Sequence, residues 1–177
     1  MTTLNTTETD PGMELVIAGW IGVRATAEMA VENRDDLLKR FPEGYVKRMM
    51  GADRFLLAPE QIDIIKSSKA EHVFEPNASG IFGCLWDMAA MLGCGFEVDG
   101  RRLPFRQETI ELCEALSLDP CRVDSRGCVL MVCHNGYSLR EYLKDNNISA
   151  AITGFITSGN DKLIRYKDRV SYLRKEP

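Results

Sequence analysis

Histidine is scarce in this chain of 177 residues, with two copies, His72 and His134. No H-E-x-x-H pair occurs, which excludes the helical zinc-hydrolase pattern. The six cysteines include no C-x-x-C pair, so neither a zinc ribbon nor a thioredoxin-type redox motif is written in the sequence. A Walker A sequence, a G-x-G-x-x-G fingerprint, a Ser–His–Asp order and a run of aspartates suited to Mg²⁺ are also missing. Nor is there an excess of positive charge. Lys and Arg number 22 against 26 Asp and Glu, a formal net charge of −4, and a nucleic-acid-coating protein usually has the opposite balance. No apolar run approaches the roughly 18–20 residues of a membrane span. The start, Met1 to Asp10, has neither the basic nor the apolar segment of a secretory signal. The expectation is a reduced cytoplasmic protein with no nucleic-acid or membrane partner, in which the Asn147-Ile-Ser149 sequon has no role.

What the sequence does have is an ordinary globular balance, 45% apolar and 27% charged. That is enough for one core without disulfides or metals. Residues 1–12 read as a flexible tail and 13–177 as one domain. Glu14–Trp20 reads as a buried strand. Val23–Phe41 has helical periodicity and is stopped by Pro42. Tyr45–Met50 makes one or two helical turns, and Pro59 opens a helix through Ser68. Glu71–Phe74 is a short strand, and Glu75–Gly80 a turn-rich loop leading into an apolar helix, Ile81–Leu92.

Gly95–Asp99 alternates like a strand, Gln107–Leu116 is an amphipathic helix, and Gly127–Cys133 is a buried strand. On that strand Cys128 and Cys133 are five apart and point to opposite faces, so both read as small core residues rather than ligands of one ion. Ser138 caps a helix to Asn146, Ala150–Thr157 is a strand, and Lys162–Tyr166 with Val170–Leu173 forms a hairpin. The basic residues gathered there, Lys162, Arg165, Lys167, Arg169, Arg174 and Lys175, read as a solvated surface. Strands and helices alternate, which predicts an α/β layer protein with a mixed sheet.

Two segments have the makings of a site. Asn77-Ala-Ser79-Gly80-Ile-Phe-Gly83 opens a helix, where free N–H groups and the helix dipole suit a phosphate or carboxylate. Glycine there allows close approach, and Ser79 adds a hydroxyl. The same residues also read as a plain helix start, with Ser79 as cap and Gly83 for packing. Arg106-Gln-Glu108-Thr begins another helix. Arg106 suits an anion clamp, and Glu108 reads either as a base or as a complement to the helix dipole. His72, near the loop, is the better of the two histidines for a titrating role; His134 falls at a strand end. The candidate anion-binding set is Asn77, Ser79, Gly80, Gly83 and Arg106. No metal site, no cofactor and no catalytic residue is assigned.

Three segments in order, Ala18-Gly-Trp-Ile-Gly22, Ser79-Gly-Ile-Phe-Gly-Cys-Leu-Trp-Asp-Met-Ala89 and Gly95-Phe-Glu-Val-Asp…Leu-Pro-Phe-Arg-Gln-Glu-Thr-Ile-Glu-Leu-Cys-Glu114, resemble the C-terminal domain of the aminoimidazole ribonucleotide (AIR) synthetase superfamily. The similarity is to its PurM C-terminal-domain-like, AIR-synthase-related branch near the hydrogenase factor HypE. It runs from about Glu14 to Leu173. The resemblance implies a three-layer α/β/α sandwich with a mixed sheet and a glycine-rich anion-binding loop. Full-length relatives are ATP-dependent enzymes whose N-terminal domain holds ATP and Mg²⁺. That domain has no counterpart in these residues, and the family's His-Asp, Thr and paired-glycine loop is represented by Phe74, Glu75, Asn77, Ser79 and Gly80. The cysteine that ends the thiocyanate-building hydrogenase factor is absent, as is the N-terminal nucleophile of selenophosphate synthetases. The expectation is a stand-alone ligand-binding or assembly module without autonomous ATP chemistry, holding a phosphorylated or carboxylated small molecule. The alternative is half of a split ATP-dependent enzyme completed by a separate ATP-binding chain. Such a half would expose an apolar face where the other half packs; a homo-oligomer would use the same face.

Overall fold

The computed structural model describes residues 9–175. Most of the expected tail, residues 1–12, lies outside that range. At its inner end Gly12 already belongs to the fold, its N–H donating to the Ile156 carbonyl at 2.8 Å.

Seven strands form one sheet: β1 (Glu14–Ala18), β2 (His72–Phe74), β3 (Gly95–Asp99), β4 (Val129–Cys133), β5 (Ala150–Thr157), β6 (Lys162–Tyr166) and β7 (Arg169–Tyr172). Their order across the sheet is β2-β4-β1-β5-β3-β6-β7. The neighbours are antiparallel except β3 and β6, which run parallel and make the sheet mixed. After Glu14, β1 is an unbroken apolar run, as is all of β4, because both of their faces are covered.

The helices are α1 (Val23–Glu32), α2 (Arg34–Leu37), α3 (Glu43–Met50), α4 (Pro59–Lys66), α5 (Gly80–Leu92), α6 (Gln107–Ala115) and α7 (Gly136–Asp145). One sheet face carries Leu15, Ile17, Phe96, Val98, Leu130 and Val132 and packs on α5 through Ile81, Leu85 and Met88. The opposite face, with Val16, Ala18, Val129 and Met131, packs on Ile65 of α4 and on Leu139 and Leu143 of α7. These three layers are the expected α/β/α sandwich. A further cluster joins α1, α2, α3 and α6 through Ala30, Leu37, Met49 and Leu112. Cys128 lies in the first core and Cys133 in the second, as their spacing requires.

Two local expectations change. The helix expected over 23–41 breaks at Asn33, whose side-chain amide and backbone N–H both donate to the Met29 carbonyl, each at 2.9 Å. Such local bonding by Asn competes with helix continuation. The cap of α7 is Asn135 rather than Ser138: Asn135 Oδ1 accepts from the Ser138 N–H at 2.9 Å, so Ser138 already lies inside the first turn.

The sheet is covered unequally. On the β5-β3-β6-β7 half, the register puts Phe155, Glu97, Leu163 and Tyr172 in one row, with Arg165 and Val170 beside them. Phe155, Val170 and Tyr172 are exposed there. Arg165 Nε donates to Glu97 Oε1 at 2.5 Å in their midst.

All six cysteines are unpaired and buried. Burial pushes the Cys84 thiol up to about 12 and Cys113 to about 11. The native protein is therefore expected to leave every thiol unreacted with a disulfide reagent near pH 8, and to titrate all six in guanidinium. Rapid native reaction of even one would show a core looser than described.

Candidate functional site

The loop after β2 folds on itself through Asn77. Its side-chain Oδ1 accepts from the Ser79 N–H at 2.8 Å, and its carbonyl accepts from Gly80 and Ser125, both at 3.2 Å. Asn77 thus organises the turn. Gly80 begins α5 with φ +73°, a conformation that favours glycine. A Cβ there would also fall 2.7 Å from Arg122 Cα and closer still to the Cys121 carbonyl oxygen. The Phe82 N–H donates to that same oxygen at 3.1 Å. The residue is small because the 121–122 backbone lies directly on the start of α5.

Ser79 occupies the cap position but makes no side-chain cap bond. A Cβ on Gly83 would stand 2.5 Å from Ser79 Cβ, so Gly83 makes room for the Ser79 side chain across the first turn. Ser79 and Gly83 line a concavity of about 320 Å³ with Phe82, Trp86, Asp87 and three cations, Arg122, Arg174 and Lys175. Arg122 is held by Asp119 at 3.7 Å and donates to the Arg174 carbonyl at 3.2 Å. Its guanidinium lies 5.5 Å from the Phe82 ring centre, and Lys162 sits 4.8 Å from that of Trp86. Among the described residues that line it, three cations face the Asp87 carboxylate, with Asp119 pairing Arg122 from outside the lining, at a helix start whose dipole is also positive.

Arg106 is elsewhere. Its guanidinium stacks 3.6 Å from the Phe55 ring centre and 5.3 Å from that of Trp20, and Nε lies 3.3 Å from Glu108 Oε2. Glu108 is buried and also accepts from Arg48 Nη2 at 2.8 Å. Its shape is that of a tethered structural carboxylate. His72 stands on β2 opposite Val132, its ring 6.4 Å from Phe74, and lines neither this concavity nor the larger one described below.

Sequence reasoning missed Arg122, Arg174 and Lys175. The last two belong to the basic run read as solvated surface; only the folded chain brings them to α5. Among the described residues no group of three or more His, Cys, Asp or Glu is placed to hold a metal ion, and no helix is long and apolar enough to cross a membrane.

Solved structures of the same shape are numerous. A structure described as a HypE–HypF complex aligns over 96% of this chain and 54% of its own, at 18% identity and TM-score 0.69. The chain has the AIR synthetase-like fold. Thiamine-monophosphate kinase from Stenotrophomonas maltophilia K279a aligns over 93% of this chain and 52% of its own, at 14% identity and TM-score 0.67. PurL of T. maritima, complexed with FGAR, aligns over 96% of this chain and 28% of its own, at 13% identity and TM-score 0.58. The chain spans about half the length of the HypE and kinase structures. No family model and no curated protein matches the sequence.

Glu108 supplies a pH test. Burial alone raises its pKa, but its backbone hydrogen bond and the Arg48 and Arg106 charges outweigh burial and hold it below the usual carboxylate value. A depressed pKa stabilises the fold above the unfolded pKa of about 4.3, and that stability is lost as pH falls through the folded value. Glu108→Gln is expected to cost about 1–3 kcal/mol at pH 7, the partly exposed Arg48 keeping it below a fully buried pair. The gap between urea melts of the two proteins should be narrower at pH 3 than at pH 7. An equal gap at both pH values would contradict the assignment.

Proposed function

We propose that this chain is a ligand-binding and assembly module of the AIR synthetase/HypE-like C-terminal type, without ATP chemistry of its own. Its ligand is a small phosphorylated or carboxylated molecule seated at the start of α5. The observation that carries this reading is the concavity lined by Ser79 together with Arg122, Arg174 and Lys175. Of the five residues that the sequence suggests for the anion, Asn77, Ser79, Gly80, Gly83 and Arg106, Ser79 keeps the direct role, while Asn77, Gly80 and Gly83 shape the loop. Arg122 takes the place expected of Arg106. The thiamine-monophosphate kinase of the same fold is named for a phosphorylated molecule, which fits this ligand class. Six unpaired thiols fit a reducing, cytoplasmic setting.

A second reading, half of a split ATP-dependent enzyme, is favoured by the open sheet face around Phe155, Val170 and Tyr172 and by the partnered HypE–HypF structure. In that reading ATP turnover appears only when a separate ATP-binding chain is added, and Tyr172→Lys abolishes it.

Calorimetric titration with pyrophosphate tests the first reading. The module is expected to bind it with an affinity that falls as salt rises. Ser79→Asp, which sets a carboxylate against the anion, should weaken binding at least about tenfold, or ~1.4 kcal/mol. Tyr172→Lys should leave it within about twofold. Unchanged affinity in Ser79→Asp would remove the α5 start as the site.

A further inference from the structure

A larger cavity, about 450 Å³, opens on the other face of the sheet and at the other end of β2. The loop after β2 leaves beside the start of β4, whereas Glu71, just before β2, lies beside its end: Phe74 pairs with Leu130 and His72 with Val132. The cavity is walled by the end of α4, by Glu71, by the end of β4 and by the first turns of α7. It shares no residue with the concavity at α5.

Glu71 is the group that stands out. Its backbone N–H is fixed to the Val132 carbonyl at 2.9 Å. Its carboxylate Oε1 is 3.9 Å from His134 Nε2, beyond a hydrogen bond. Its Oε2 is buried with no hydrogen-bond partner among the described residues. A buried carboxylate oxygen without a donor is costly.

Several neighbouring polar groups are committed elsewhere, and Lys69, the lysine of the lining, makes no ion pair with Glu71 among the described residues. Ser67 and Ser68 hydroxyls donate to the Asp63 and Ile65 carbonyls at 2.9 and 2.6 Å. The Ser138 N–H goes to Asn135, and the Gly136 N–H to Glu14 Oε2 at 2.6 Å. The floor is apolar: Leu139 and Cys133 are buried, with the partly exposed Tyr142 beside them. The Cys133 thiol is pushed up to about 12, first by burial and then by the Glu71 and Glu14 carboxylates, so it stays neutral.

A carboxylate lacking a donor, over an apolar floor, in a volume typical of small-molecule sites, defines a ligand chemistry. We propose that this cavity binds a small primary ammonium compound with a short apolar or aromatic body. The ammonium pairs with the Glu71 carboxylate, whose side chain is 22% exposed, and the body lies on Leu139 and Cys133 beside the Tyr142 ring. Charge-assisted bonds of this kind are the strong ones. The site is independent of the anion site and stands if that one fails.

The test uses benzylamine, with benzyl alcohol as its neutral counterpart, followed by amide chemical shifts of the full chain. Benzylamine should perturb Glu71, His134 and the first turn of α7 and saturate by about 10 mM; benzyl alcohol should not. Glu71→Gln, nearly isosteric, should weaken binding at least tenfold. Ser138→Trp, on the exposed start of α7, should block it with Glu71 intact, and Ser79→Asp should leave it unchanged. No saturation by about 10 mM, equal shifts from benzyl alcohol, or full affinity in folded Glu71→Gln would overturn the proposal.

Discussion

The sheet depends on filling its middle slot with five residues from near the start of the chain. β1 is hydrogen-bonded on both edges, to β4 and to β5, strands more than 110 residues later. Its side chains alternate between two cores, Leu15 and Ile17 on one and Val16 and Ala18 on the other, all fully buried. A one-residue slip would exchange the two sets. The β1–β5 register shift between Leu15 and Val16 is accommodated where buried Thr153 bonds the Leu15 carbonyl at 3.2 Å. Both helical layers and both ends of β4 are placed by this one strand.

From that placement follow two separate concave regions. α5 packs on one face, and its start meets the 121–122 backbone and the last basic residues. α4 and α7 pack on the other, and their facing ends leave a cavity around Glu71. The first concentrates cations, whereas the second holds an uncommitted carboxylate oxygen. The open half-sheet around Phe155 and Tyr172 is a third region, where the Arg165–Glu97 pair interrupts the apolar row.

Much of the architecture was legible because it is local. The unbroken apolar runs gave β1 and β4, Pro59 marked the start of α4, and odd spacing put Cys128 and Cys133 on opposite faces. The break at Asn33 was not legible, since it turns on which carbonyl one side chain reaches. The site was half legible. Ser79 and Gly83 announce themselves as a helix start, but Arg106 and Arg122 look equivalent in sequence. What separates them is tertiary: Arg106 is captured by Phe55, Trp20 and Glu108, while Arg122 follows the backbone that Gly80 is small enough to touch. Glu71 gave no signal, because its lack of a donor exists only once α4, β4 and α7 surround it.

The central claim is that the chain works as a binding module in its own right. Native mass spectrometry of the protein, purified gently from its own cells, tests it most directly. A binding module should appear as one chain type, monomer or homo-oligomer, carrying a small anion that is lost on denaturation. A stoichiometric second chain with an ATP site, and no bound small anion, would contradict it.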